Sequence, residues 1–202
     1  MADWTNANGT VIALTAVTHP DKVDGTEVNV TSWDAVTLTL HWCSIEAAAN
    51  TNPGEFYILG NADINGNESS WSELMRVGTN TDTGASEVID NESESGPVIE
   101  VTSTTGFTAG NWLYARDVAT ESNSGFRLIT EVTTDTSVEV HQALDVALNQ
   151  ADSDILWTPG FAKAIQIDTK TLYGLNVHFI HHGATGANGV VQVFYSAATD
   201  FE

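Results

Sequence analysis

Three histidines near the end of the chain are of a residue type that binds metals. His178, His181 and His182 lie in "GLNVHFIHH", where apolar residues alternate with polar ones and predict a β-strand. On a strand, His178 and His182 share a face but lie about 13 Å apart at ~3.3 Å per residue. His181 points to the opposite face. Because metal–nitrogen bonds are only about 2 Å long, the spacing predicts a structural role and no metal site.

An oxygen-rich stretch, "NADINGNESS" at residues 61–70, carries side chains of the kind that bind calcium. An EF-hand loop needs Gly at its sixth position and Glu at its twelfth. Counted from Asp63, Gly66 falls at position four and Leu74 at position twelve. The stretch therefore predicts a polar turn, with adventitious calcium binding as the alternative. The candidate oxygen ligands are Asp63, Asn65, Asn67 and Glu68.

Motifs for covalent or phosphate chemistry are missing from the sequence. It contains no Gly-x-Ser-x-Gly, no His-Glu-x-x-His and no phosphate-binding glycine loop before a helix. Carboxylate pairs arise by chance among 27 acidic residues in a chain of 202. We therefore expect a protein that is not an enzyme and needs no cofactor.

The tryptophans allow two readings. Most occur in or beside predicted strands, where packing in a core or an interface is the default. The alternative is a platform of exposed rings that binds carbohydrate. The five residues concerned are Trp33, Trp42, Trp71, Trp112 and Trp157.

Charge limits the partners of the chain. Six Lys and Arg residues face 27 Asp and Glu, for a net charge of −21. Direct nucleic-acid binding needs clustered cations, and an anionic membrane surface would repel this chain. The excess charge favours solubility, or a partner surface of opposite charge.

Cysteine usage and the N-terminus bear on the cellular compartment. Cys43 is the only cysteine, so no intrachain disulfide forms, and its apolar surroundings beside Trp42 predict a buried structural thiol. The start "MADWTNANGT" has no basic residue before its apolar part, and no apolar run approaches 18 residues. These features predict no secretory signal and no membrane span.

Two-residue periodicity dominates and predicts strands. "VTLTLHW", "GLNVHFIHH" and "GVVQVFYSA" all alternate, whereas helical signals are confined to "SIEAAAN" and "HQALDVALNQAD". We expect an almost all-β chain with no long helix. The apolar face of the first run consists of Val36, Leu38, Leu40 and Trp42.

Two polar stretches, at residues 79–97 and 158–161, divide the predicted strands. Five short strands lie between them, and their regular spacing predicts a small barrel. The expected organisation is an N-terminal arm at 1–20, a discontinuous β-sandwich of jelly-roll or immunoglobulin-like type at 21–95 plus 159–202, and an inserted small β-barrel at 96–158.

The middle block carries a recognisable order of elements. A strand leads through a Gly-Phe-x-x-Gly turn into a second strand, and an acid-rich loop precedes a third and a fourth strand. In this order, residues 98–157 resemble a small β-barrel module common in structural proteins of tailed bacteriophages. The matching positions are Gly106, Phe107 and Gly110 in the turn, Ile129 and Val132 in the third strand, and Thr136, Val138 and Val140 around the fourth.

The resemblance implies a virion component, and a capsid decoration (cement) protein fits best among these. It would be made in the host cytoplasm, bind the major capsid protein on the capsid surface and associate with itself as a homotrimer. Two alternatives remain: a tail, neck or fibre component with a host-binding role, and a carbohydrate-binding β-sandwich module. The expected partner-binding anchors on the N-terminal arm are Trp4, Val11, Ile12, Leu14 and Val17.

Overall fold

The protein is all-β, as the sequence predicts. The computed structural model contains fourteen strands and one 3-10 helix, Gln150–Asp152, in the residues that it describes. No helix in this part of the chain has the length and apolarity needed to cross a membrane. The described residues are 6–18, 20–45, 54–63, 70–79, 85–90, 96–120, 124–144, 147–183 and 187–198.

The chain forms two compact units. Unit 1 comprises Met1–Trp42, Asn52–Asn80 and Ala162–Glu202, and unit 2 comprises Cys43–Thr51 and Thr81–Phe161. The first strands are β1 (Asn6–Thr18), β2 (Lys22–Asp24), β3 (Val28–Asn29), β4 (Ala35–Ser44), β5 (Gly54–Asn61), β6 (Trp71–Gly78) and β7 (Ala85–Val88). The others are β8 (Val98–Glu100), β9 (Trp112–Arg116), β10 (Gly125–Thr133), β11 (Ser137–Val140), β12 (Ile155–Asp168), β13 (Gly174–His181) and β14 (Asn188–Ala198).

Unit 1 contains two sheets. One has the order β1-β14-β4-β12, and the other has the order β2-β13-β5-β6, with β3 also pairing with β13. The alternation predicted for "VTLTLHW" is confirmed, because its four apolar residues are at most 2% exposed. The sandwich of two sheets follows from this pattern, since each sheet has one apolar face to bury. The jelly-roll or immunoglobulin-like type stays a prediction.

Aromatic rings fill the core of unit 1. The ring of Phe179 on β13 lies 4.6 Å from that of Trp42 on β4 and 4.8 Å from that of Phe56 on β5, measured between ring centres. Gly189 on β14 lies against the Trp42 ring, and an added Cβ there would come within 1.9 Å of it. A glycine at this position lets the backbone approach the indole closely.

The N-terminal segment has a different position from the expected arm. Residues 6–18 form β1, which pairs antiparallel with β14 of the same chain from Asn6–Ala198 to Thr18–Asn188. Val11, Ile12 and Val17 are buried, at 2–3% exposure, and Leu14 is half-buried. The physical reason is that their apolar side chains are needed to cover the sheet. Trp4 lies outside the described residues.

Unit 2 has its own core. The strand order is β12-β9-β10-β11-β8, and β7 pairs with β12. All five strands predicted for the middle block are present. Ile89 and Val101 form an isolated bridge just after β7 and β8, but closure into a barrel stays a prediction. The core consists of Ile89, Ile99, Val101, Phe107, Leu113, Ala115, Ile129, Val138, Val140, Leu148 and Leu156.

The Gly-Phe-x-x-Gly motif is the turn between β8 and β9. Gly106 and Gly110 have positive φ angles of 88° and 92°, a region that L-residues rarely adopt. Phe107 is buried in the core of unit 2, and its backbone N–H donates to the carbonyl of Thr104 at 3.0 Å. The two glycines thus bend the chain so that the phenyl ring points inward.

The unit boundaries in the structure differ from the expected 96–158. Unit 2 starts at Thr81, because β7 pairs with β12 from Ile155–Val88 to Thr158–Ala85. It also takes in Cys43, whose sulfur lies 3.9 Å from the carbonyl oxygen of Trp157. The prediction of a buried Cys43 is confirmed, at 1% exposure.

Candidate functional site

The three histidines lie on β13 and directly after it, and they alternate between its faces as predicted. His181 is buried at 1% exposure and packs against Trp42, with ring centres 4.9 Å apart and planes tilted by 55°. The side chains of His178 and His182 are 26% and 45% exposed on the outer face. Nδ1 of His178 lies 3.2 Å from a carboxylate oxygen of Asp24, and Nε2 of His182 lies 3.4 Å from a carboxylate oxygen of Glu55.

Two groups of polar contacts lie on the outer face of the sheet β2-β13-β5-β6. Lys22 on β2 pairs with Asp24 at 2.8 Å, and Asp24 also contacts His178. On β5, the hydroxyl of Tyr57 donates to Glu55. This hydrogen bond lowers the pKa of Glu55 and raises that of Tyr57.

Burial and the nearby charges act in opposite directions on His178. Its partial burial is the main cause that lowers its pKa, and Lys22 adds to the effect, while Asp24 opposes it. The imidazole therefore stays neutral to lower pH than a freely exposed histidine. Near neutral pH, His178 acts as a hydrogen-bonding group in this network and not as a cation.

Arg76 on β6 extends the polar contacts of Glu55 and Tyr57 to the edge of the sheet. Its guanidinium carbon lies 4.7 Å from the centre of the Tyr57 ring, and its Nε donates to Glu73 at 2.8 Å. In a regular strand, residues three apart point to opposite faces. Here Leu59 pairs with Glu73 while Ile58 pairs with Met75, so a bulge at Leu74 brings Glu73 and Arg76 to the same face.

We define the outer face as Lys22, Asp24, Glu55, Tyr57, Glu73, Arg76, His178 and His182. Its charged groups are two cations and three carboxylates. The chain as a whole has only six Lys and Arg against 27 Asp and Glu. The outer face is therefore close to electrical balance, unlike the protein as a whole, and it repels an approaching protein surface less.

Strand β6 is an edge strand with exposed apolar side chains. It ends its sheet and pairs with β5. Leu74 is 42% exposed and Met75 is 41% exposed. The strands at the centre of the sheet bury every second residue, whereas β6 buries only Val77 fully. An edge strand of this kind exposes backbone groups and apolar side chains at the end of its sheet.

A second feature of unit 1 is an open pocket of about 420 Å³ between two loops. Its lining includes the aromatic residues Trp33 and Tyr173 and the oppositely charged residues Asp34 and Lys170. The remaining lining residues are Thr31, Ser32, Thr169, Thr171 and Leu172. The pocket thus combines aromatic surface with many hydroxyl groups.

The described residues contain no group of three or more His, Cys, Asp or Glu side chains placed to hold a metal ion. Of the calcium-like stretch 61–70, residues 64–69 lie outside the described part. At its ends, the backbone N–H of Asp63 donates to the side chain of Asn61 at 2.8 Å, and the Ser70 hydroxyl lies 3.4 Å from an Asp63 carboxylate oxygen. Calcium binding by this stretch stays a prediction.

The structure separates the tryptophans into two classes. Trp42 and Trp157 are core residues at 2% and 7% exposure. Trp33, Trp71 and Trp112 are half-buried. Of these, Trp33 lines the pocket. Among the five tryptophans considered for a sugar-binding platform, Trp33 is therefore the one that remains a candidate.

Sequence reasoning did not find β6 or the pocket. In "WSELMRVG", the adjacent Leu74 and Met75 break the two-residue alternation, and this break is the signal of the bulge. The pocket has no such local signal, because its two loops are more than 130 residues apart along the chain.

No protein-family model matches the chain, and no curated protein matches it in sequence. Among solved structures, the SPBc2 prophage-derived protein YomS matches with a TM-score of 0.35 and 10% identity, over 98% of this chain and 97% of YomS. The structure of the infectious bursal disease virus Gt strain matches with a TM-score of 0.28 and 10% identity. The structure of the VP2 subviral particle of that virus matches with a TM-score of 0.26 and 6% identity. These two matches cover 97% and 98% of this chain but 42% of each viral chain. At such TM-scores and identities, the likeness supports no assignment of function.

Proposed function

We propose that this chain is a non-enzymatic structural protein of a tailed-phage particle. In this proposal it is a decoration protein that binds the major capsid protein on the outer surface of the head and stabilises the shell. The virion assignment rests on the resemblance of residues 98–157 to a phage structural module. The observation that carries the docking role is the edge strand β6, whose Leu74 and Met75 are 42% and 41% exposed.

Charge explains why this part of the surface is the favoured contact. A chain with a net charge of −21 repels most protein surfaces at long range. Attachment therefore needs short-range apolar contact at a place where the local charges nearly cancel. Leu74 and Met75 supply the apolar contact, and the ion pair of Glu73 and Arg76 on the same strand keeps the local charge balanced.

The bulge at Leu74 shapes the mode of contact. A regular, flat edge strand pairs readily with any other free strand, and bulges and charged side chains prevent such pairing. Strand β6 carries the bulge as well as Glu73 and Arg76. We therefore expect β6 to bind the capsid protein through its side chains and not by adding a strand to a neighbouring sheet.

The test is binding to phage heads that lack this protein. Full-length protein and a Leu74→Asp/Met75→Asp double variant are mixed with such heads and sedimented. Both side chains are exposed, so the variant should fold. Removing ~1.4 kcal/mol of apolar contact weakens binding tenfold, and we expect at least about that loss. The matched control is Val118→Asp, since Val118 in unit 2 is equally exposed at 42%.

Two outcomes would overturn the proposal. If the full chain does not sediment with the heads, it is not a decoration protein. If electron microscopy of the native particle places the chain on the tail, neck or fibre, the host-binding alternative replaces it. Equal binding by the β6 double variant and the wild type would instead remove β6 from the contact.

A further inference from the structure

The pocket between residues 31–34 and 169–173 has the features of a small-ligand site. Its volume of about 420 Å³ lies in the range of roughly 300–1,000 Å³ that is usual for such sites. We propose that it binds one uncharged sugar ring of a glycan. The proposal does not rest on capsid attachment, because it concerns binding of free saccharides by the chain itself.

Hydrogen bonds between the two loops form the pocket in advance of any ligand. Thr169 is 1% exposed, its hydroxyl donates to the carbonyl of Trp33 at 2.6 Å, and its N–H donates to the carbonyl of Asp34 at 3.0 Å. The N–H of Val30 donates to the carbonyl of Tyr173 at 3.1 Å. A pre-formed pocket loses little conformational entropy when it binds a ligand.

The position of Trp33 suits it to stack on a sugar. Its ring packs on Tyr195, with ring centres 5.8 Å apart and planes tilted by 37°. This packing holds the indole in place, while the residue remains only half-buried and lines the pocket. A pyranose presents a face of C–H groups, which packs well on an aromatic ring.

The rest of the lining matches the hydroxyl groups of a sugar. Thr31, Ser32 and Thr171 are exposed and line the pocket. The hydroxyls of Ser32 and Thr171 can donate and accept, whereas the hydroxyl of Thr31 donates to the side-chain oxygen of Asn29 at 2.8 Å and is available as an acceptor. Asp34 adds an acceptor and Lys170 adds a donor.

Net charge selects among glycans. The chain carries −21 overall, and the pocket adds only one cation, Lys170, against Asp34. A sialylated or uronic-acid glycan would meet long-range repulsion, whereas an uncharged hexose or N-acetylhexosamine would not. The expected ligand is therefore neutral.

The test uses an array of neutral and acidic oligosaccharides, followed by calorimetric titration of full-length protein with the best neutral binder and with sialyllactose. We expect saturable binding of a neutral oligosaccharide and none of sialyllactose. Trp33→Ala should raise the dissociation constant at least about tenfold. Ser32→Tyr fills the pocket from an exposed position and should have the same effect if the fold is intact. The matched control, Trp112→Ala, removes a half-buried tryptophan of unit 2 and should bind normally.

The inference is overturned if no neutral saccharide on the array binds, or if only acidic ones do. It is equally overturned if both pocket variants bind as the wild type does, or if Trp112→Ala loses binding to the same extent. Circular dichroism of each variant separates loss of the site from loss of the fold. If the protein does not attach to capsids but still binds the sugar, only the decoration role is refuted.

Discussion

At the residue scale, burial controls the chemistry of the single cysteine. Cys43 is 1% exposed, and burial raises the pKa of its thiol to about 12. Since the thiolate is the reactive form, we expect no reaction of the native protein with a thiol reagent such as DTNB at pH 8. One equivalent should react in guanidinium chloride. Rapid labelling of the native protein would contradict the buried position.

His41 makes stability depend on pH. Burial lowers its pKa from 6.5 to about 4. Between these values the unfolded chain binds a proton that the folded chain does not, so the free energy of unfolding falls as pH falls from 6.5 to 4. The full loss is up to about 3 kcal/mol, at ~1.4 kcal/mol per pKa unit.

A His41→Phe variant tests this effect, because it keeps an aromatic ring next to Phe194, whose ring centre lies 6.1 Å from that of His41. Denaturant unfolding of wild type and variant at pH 7, 5.5 and 4 gives the free energy of unfolding of each protein at each pH. We expect the variant to lose less stability than the wild type across this window. Parallel stability curves for wild type and His41→Phe would refute the assignment.

At the element scale, the turn between β8 and β9 offers a matched pair of glycines. Both Gly106 and Gly110 have positive φ, but an added Cβ at Gly106 would lie 2.5 Å from the Cβ of Ala85, while at Gly110 it would meet nothing within 4 Å. Gly110→Ala should therefore lower the free energy of unfolding by about 1–2 kcal/mol, because alanine is strained at a positive φ angle. Gly106→Ala should cost a further 1–3 kcal/mol or so for overpacking.

Equilibrium unfolding in urea measures both variants. The result of interest is the difference between them, since the backbone contribution is nearly the same and cancels. Equal losses would mean that Ala85 moves aside without cost. The comparison would then show that the motif selects glycine for backbone conformation alone.

At the scale of the whole molecule, net charge sets the response to salt. Self-repulsion at −21 destabilises the compact state, and the Debye length shortens from about 30 Å at 0.01 M salt to 8 Å at 0.15 M. We expect the melting temperature to rise over this range, equally for NaCl and KCl. A larger rise with calcium at matched ionic strength would point to a specific site, for which residues 61–70 are the candidate.

The proposed homotrimer is tested on the same scale. Sedimentation velocity of the free protein should give a species of about three times the chain mass of 21.6 kDa, persisting in 1 M salt, where the Debye length is only ~3 Å. A trimer that dissociates at high salt would rest on charge pairs and not on apolar contact. A monomer under all conditions would refute self-association in solution.

Local pattern by itself determined the all-β class of this protein and most of its strands. Val36, Leu38 and Leu40 alternate with polar residues, and a two-residue period has only one way to bury its apolar side. The turn at Gly106 and Gly110 was likewise readable, because backbone conformation at a turn depends on neighbouring residues. The buried Cys43 and the opposite faces of His181 and His182 follow from the same short-range rules.

Only the tertiary structure decided which apolar strands lie inside and which lie at an edge. The sequence predicted an arm for residues 1–20, yet Val11 and Ile12 are covered within the chain, while Leu74 and Met75 of β6 are exposed. Strand pairing decides this. Strand β1, near the start of the sequence, pairs with β14, near its end. Strand β6 is instead the last strand in its sheet. The pocket of Trp33 and Tyr173 has the same origin, since contacts between distant loops leave no periodic trace in the sequence.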